Sequence, residues 1–178
     1  MRIASVVTAI GLAAAAFTLP AAAQTPGGFY IGYKAGQSKY SFNCTGTCDD
    51  TAAGYGIFAG VGMHPNFAVE FGYADLGKST LGSSNIRSTL WEVSGLGTLW
   101  FGARQQFGAY GRLGAYWGDV TTTTPSTGSE LMRSRTDVTY GLGGQWNLSS
   151  KFGARLEWQR YKATSDIDLI ALGLLYRF

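Results

Sequence analysis

Few side chains in this chain of 178 residues are of the types that catalysis or metal binding requires. The one histidine, His64, stands in Met63-His64-Pro65-Asn66, with no Ser or Cys beside it for a base to activate. We read it as a solvated turn residue. The two cysteines, Cys44 and Cys48, lie in Asn43-Cys44-Thr45-Gly46-Thr47-Cys48-Asp49-Asp50, where two thiols without a nearby histidine are too few to hold a metal. Asp49, Asp50, Asp75, Asp166 and Asp168 suggest a carboxylate or divalent-ion site, but no ligand spacing recurs among them and they read as loop charges. Eight further charges remain: Lys34, Glu70, Glu92, Arg112, Asp137, Arg155, Glu157 and Arg177. Each stands in a stretch of alternating apolar and polar or small residues. Their chemistry is ion pairing across a shared interior, and the elements that carry them decide whether they meet.

Those elements read as β-strands. Side chains alternate between the two faces of a strand, and sorting the chain by parity separates a greasy set from a polar and small set. Phe29, Ile31, Tyr33 and Ala35 oppose Tyr30, Gly32, Lys34 and Gly36. Tyr55, Ile57, Ala59, Val61 and Met63 oppose Gly54, Gly56, Phe58, Gly60 and Gly62, and after a turn at His64-Pro65-Asn66 the residues Phe67, Val69, Phe71 and Tyr73 oppose Ala68, Glu70, Gly72 and Ala74. The fourth segment sets Trp91, Val93, Leu99 and Phe101 against Glu92, Ser94 and Thr98, with Leu96 and Trp100 sitting less comfortably on the polar side. Four more follow, carrying Arg112, Asp137, the pair Arg155 and Glu157, and Arg177 on their polar faces. The expected fold is all-β, an eight-stranded antiparallel up-and-down barrel. Connections alternate between long ones, at residues 41–53, 79–87 and 120–132, and short ones near Pro65, Gln105 and Ser149.

A parity pattern alone leaves open which face meets water. In a soluble barrel the apolar set points inward, and in a membrane barrel it points to lipid. Glycine separates the two: Gly32, Gly36, Gly54, Gly56, Gly60, Gly62, Gly72, Gly108, Gly114, Gly141, Gly143 and Gly173 lie on the charged side. A crowded interior needs them, and a water-facing surface does not. Aromatic residues gather near strand ends, as the girdles of a membrane barrel require. The near-neutral mean hydropathy of +0.02 suits a barrel that shows lipid to every second residue.

The N-terminus reads as a cleavable leader: Arg2, an apolar run from Ile3 to Phe17, then small residues up to Ala23. We divide the chain into a signal peptide at residues 1–23 and a barrel domain at residues 24–178. The run is too short for a spanning helix. In an exported chain Cys44 and Cys48 read as a local disulfide. Without Arg2, 13 of the 14 Lys and Arg remain against 11 Asp and Glu, a balance that gives no reason to expect a nucleic-acid partner.

Five segments carry a family resemblance: Tyr33-Lys34-Ala35-Gly36, Ala68-Val69-Glu70-Phe71-Gly72-Tyr73-Ala74-Asp75-Leu76-Gly77, Tyr110-Gly111-Arg112-Leu113-Gly114, Ala154-Arg155-Leu156-Glu157-Trp158 and the closing Leu172 to Phe178. In this order, over nearly the whole mature chain, they resemble the N-terminal transmembrane domain of the OmpA family. The resemblance implies an ion-pair network at Lys34, Glu70, Arg112 and Arg155 that obstructs the lumen. Where the family has a further gate carboxylate and a gating lysine, this chain offers Gln145 and Thr98, which argues against a gate and leaves a static plug or charges that simply fill and solubilise the lumen. It also implies a cell outer membrane of a Gram-negative bacterium with both termini periplasmic, and Tyr176 and Phe178 as the signal read by the barrel-assembly machinery. Partners then expected are outer-membrane lipid and lipopolysaccharide, that machinery and periplasmic chaperones. The chain stops at Phe178 without the family's peptidoglycan-binding domain, so a monomeric barrel serving envelope integrity or surface contacts is expected, with no cofactor and no enzymatic activity. A narrow low-conductance channel and a ligand-binding or adhesin surface at the loops are the alternatives.

Overall fold

The computed structural model describes residues 28–41, 48–81, 84–102, 105–124, 129–163 and 166–178. Its strands are β1 (Phe29–Tyr40), β2 (Cys48–Asp49), β3 (Thr51–His64), β4 (Phe67–Leu81), β5 (Ser84–Phe101), β6 (Phe107–Thr124), β7 (Ser129–Asn147), β8 (Phe152–Tyr161) and β9 (Ile167–Arg177). All but the two-residue β2 pair antiparallel with their chain neighbours, and β1 closes on β9, giving a barrel of eight strands. The β2 strand lies against the end of β4, at Leu81 and Thr80. Both described ends of the chain lie together: the Phe178 amide donates to the Phe29 carbonyl at 3.1 Å. We call this the terminal end and the opposite one the hairpin end.

The leader at residues 1–23 and the Cys44–Cys48 disulfide fall on or depend on residues outside those described. Two expected loops are largely strand. β4 continues to Leu81 and β5 starts at Ser84, and the Thr121 to Thr124 run pairs with Ser129 to Met132. β-Branched threonines extend a ladder readily. Asp75, read as a loop charge, is buried and opens a bulge inside β4: the register shifts between Asp75 and Lys78, Gly77 adopts φ +81°, and its amide donates to Asp75 Oδ1 at 2.9 Å. The β7–β8 ladder begins only at Thr139, whereas β6 and β7 stay paired out to Thr124 and Ser129. The β5–β6–β7 sheet therefore projects past the β8–β9 turn by about ten residues of β7, roughly 33 Å at the rise of a strand.

The parity sets separate cleanly. Leu99, Leu113, Leu142, Leu172 and Leu174 on the outer wall are 64–68% exposed, while Glu70 and Glu92 inside are 1% exposed. The Leu96 and Trp100 parity holds as well: Leu96 is buried, and Trp100 donates its indole N–H to the Pro65 carbonyl at 2.7 Å.

Glycine makes this interior possible. Bulky inward side chains stand directly across from a glycine on the next strand: Tyr30 from Gly60, Phe58 from Gly32, Lys34 from Gly56, Glu92 from Gly72, Tyr110 from Gly143, Arg112 from Gly141 and Arg155 from Gly173. A Cβ at Gly60 would fall 2.3 Å from the Tyr30 ring. The tightest case is Gly36, whose Cβ would lie 1.9 Å from the Ile170 carbonyl oxygen and 2.5 Å from the Ala171 Cα, both backbone. Gly97, on the outer wall, has nothing within 4 Å. Gly36→Ala is therefore expected to destabilise the folded barrel by about 3 kcal/mol or more. Gly97→Ala is expected to leave it unchanged or firmer by about 0.5–1 kcal/mol. Urea unfolding in lipid vesicles checks both signs.

Candidate functional site: the barrel lumen

Six of the eight charges singled out by parity meet at mid-height inside the barrel. Lys34 comes from β1, Glu70 from β4, Glu92 from β5, Arg112 from β6, and Arg155 and Glu157 from β8; all are 1–7% exposed. The set holds three cations and three carboxylates, so it is neutral as a unit. Arg112 is the hub. Its guanidinium lies 3.1 Å from Glu92, 3.1 Å from Glu157 and 3.7 Å from Glu70. Lys34 Nζ donates to Glu157 at 2.8 Å and to Glu92 at 3.2 Å, and Arg155 pairs with Glu70. Burying charge is costly unless each ion is paired and hydrogen-bonded, and neutral neighbours add to the bonding, leaving Glu70 Oε2 and Arg112 Nε as the cluster atoms without a hydrogen bond. Gln159 accepts from Lys34 at 2.8 Å and donates to Glu92 at 2.6 Å and Thr139 at 2.9 Å. Tyr161 donates to Glu92, Tyr110 to Glu157 and Tyr30 to Glu70.

The other two charges stand apart, which corrects the expected network. Asp137 is held by Arg135 on its own strand at 2.8 Å and is part-exposed. Arg177 donates to Asn147. Both face inward as parity requires, but each stands four residues along the strand from the ion layer, about 13 Å at strand rise. Asp137 is displaced toward the hairpin end, four residues before Gly141, which pairs with Arg112; Arg177 is displaced toward the terminal end, four residues after Gly173, which pairs with Arg155.

Parity reasoning at the level of charge also missed the layers above and below. Toward the hairpin end the lumen is filled by an apolar cluster of Tyr40, Leu76, Leu90, Tyr116, Tyr161 and Leu169, each at most 5% exposed. Toward the terminal end Tyr30, Phe58 and Leu175 pack together, and the Arg155 guanidinium sits 5.1–5.3 Å from the ring centroids of Tyr30, Phe58 and Tyr110, within cation–π range. The signal lay in the same parity set, in its tyrosines and leucines. Gln145 accepts from Arg155 Nε at 2.7 Å.

The remaining candidates are dispersed. His64 is exposed in its turn, where its Nδ1 accepts the Asn66 amide. Asp168 is gripped by Arg160 through two bonds of 2.7 Å. The Lys162 ammonium bonded to Asp166 holds that carboxyl below the usual carboxylate range. Among the described residues no group of three His, Cys, Asp or Glu is placed to hold a metal ion. At the terminal end Tyr176 and Phe178 stand on the outer wall, their rings 5.1 Å apart, with Phe29 and Phe152 against them.

An apolar outer wall around a polar, filled interior on eight closed strands defines a small transmembrane β-barrel, since no other solvent matches that inversion. Residues 9–178 match the outer membrane protein β-barrel domain family, and the chain belongs to it. Its place is accordingly the outer membrane of Gram-negative bacteria. Solved structures share the fold. The attachment invasion locus protein Ail of Yersinia pestis is 19% identical, with a TM-score of 0.64 over 86% of this chain and 100% of that one. Neisserial surface protein A is 14% identical, with a TM-score of 0.67 over 84% and 97%. The N-terminal barrel of OprF from Pseudomonas aeruginosa is 15% identical, with a TM-score of 0.60 over 85% and 99%. The family match bears out the OmpA-like resemblance, and the solved structures share its fold. No curated protein matches the chain in sequence.

Proposed function

We propose that this protein is a structural outer-membrane barrel whose lumen is sealed, non-enzymatic and non-conducting, with its termini in the periplasm and its hairpin end at the cell surface. The observation that carries this reading is the stacking of a neutral six-charge layer beneath an apolar layer, both almost wholly buried. An eight-stranded barrel has width for side chains alone, and this one fills it. Such a body anchors in lipid and lipopolysaccharide without exchanging solute. The outward Tyr176 and Phe178 suit recognition by the assembly machinery, and an exported chain of this kind would meet periplasmic chaperones on the way. Protein reconstituted in planar bilayers is expected to give at most small, infrequent conductance. Steady large openings would refute the sealed lumen.

A second role rests on the sheet that β4, β5, β6 and β7 raise beyond the rest of the barrel. A projecting sheet offers side chains to other molecules, and Ail, similar in fold, is named as an attachment invasion locus protein. On this reading the barrel is a mount and its hairpin end makes the contacts.

A further inference from the structure

The outer wall at the hairpin end carries a cleft of about 330 Å³ unrelated to the lumen. Cross-strand register builds it from two rows. Tyr73, Trp91, Trp117 and Thr136 stand side by side on β4, β5, β6 and β7, and Thr89, Asp119 and Ser134 form the next row outward. The intervening row of Leu90, Gly118 and Arg135 floors it. Below lie the apolar Phe71, Val93, Ala115 and Val138. Phe71 stacks on Trp91 at 5.4 Å and Tyr73 leans on it at 5.0 Å, so the indole is fixed in place. Trp91 and Trp117 remain 43% and 42% exposed.

The ligand class follows from what this cleft presents. A pair of indoles beside hydroxyls and a carboxylate suits a ring that is apolar on its face and hydroxylated at its edge. Charge excludes a phosphate. Asp119 sits in the outer row, oriented by the Ser134 hydroxyl at 2.6 Å, while the two arginines whose side chains are described nearby are committed, Arg87 to Asp75 and Arg135 to Asp137. The apolar row beneath means the ring arrives attached to lipid. We propose that this cleft binds the uncharged sugar headgroup of a membrane glycolipid, the pyranose ring lying on Trp117 and Trp91 with its hydroxyls bonded to Asp119, Thr89 and Thr136.

The test uses the full barrel in zwitterionic phosphocholine micelles, titrated with an alkyl glucoside while the indole N–H resonances are followed, each assigned by its Trp→Phe variant. A saturable shift confined to Trp91 and Trp117 is expected. Asp119→Ala, on the outer wall and checked for folding by heat-modifiable gel migration, is expected to weaken it about tenfold, the loss of one hydrogen bond to a charged group. Shifts that grow in all five indoles, or an unchanged response in Asp119→Ala, would overturn the site and leave only an interfacial girdle. Equal binding of free methyl glucoside would overturn the lipid-borne ligand, and competition by an alkyl phosphate at the same concentration would overturn its neutrality. The lumen takes no part in these readouts.

Discussion

Arg112→Leu is expected to lower the stability of the barrel by about 3–5 kcal/mol, the usual cost of removing one partner from a buried ionic cluster. The reason is arithmetic as much as contact. Three carboxylates share three cations, and Arg112 alone touches all three acids. With leucine there, Lys34 and Arg155 face Glu70, Glu92 and Glu157, and one negative charge is left without compensation in a site closed to solvent. Leucine also abandons the hydroxyl of Ser94, to which Arg112 donates at 3.2 Å. Arg112→Lys keeps the charge but replaces a planar fork with a point donor, so it should fall between wild type and leucine. Urea titration of vesicle-embedded protein, followed by the loss of heat-modifiable migration, measures both. If the leucine variant unfolds at the wild-type urea concentration, the network fills the lumen without holding it together.

The faces of the strands were legible in the sequence because a period of two admits only one assignment once several residues are sorted. Trp91, Val93, Leu99 and Phe101 thereby part from Glu92, and the glycines beside the charges say which set is inside. Height along the barrel axis was not legible. Parity placed Asp137 and Arg177 on the correct face, yet only strand register sets which row a residue joins, and register depends on turn lengths and bulges that alternation does not encode. The bulge at Asp75 to Lys78 shows the limit. It keeps Leu76 inward and turns Ser79 inward after it, so the strand outlives the residues that seemed to stop it. Pairing of bulk with glycine was half visible: the glycines declared a crowded interior, but that Tyr110 faces Gly143 and Arg112 faces Gly141 needed the register. Parity also puts the neutral Gln159 and Thr139 on the inward face, but that they and Tyr161 complete bonds to the ions is set by register and side-chain reach, which alternation does not encode.

The layered lumen gives the other large expectation, that no substitution in one layer alone opens a channel. Conduction through a stack is governed by its tightest level. Glu92→Gln removes a charge while keeping shape and leaves Leu76, Leu90, Tyr116, Tyr161 and Leu169 closed above it, so its bilayer recordings should match wild type. Leu76→Ala with Leu169→Ala admits water from the hairpin end only as far as the ion layer, and should be equally silent, although each truncation is expected to cost about 2–5 kcal/mol in stability. Even the three changes together leave Tyr30, Phe58 and Leu175 packed at the terminal end, so that variant too should be silent. Heat-modifiable migration of each variant establishes that silence comes from a folded barrel. Sustained openings from Glu92→Gln alone would mean that the ion pairs are the whole seal and that the apolar layer is permeable. That result would also give the lumen a gate in place of the static plug that the family resemblance implies.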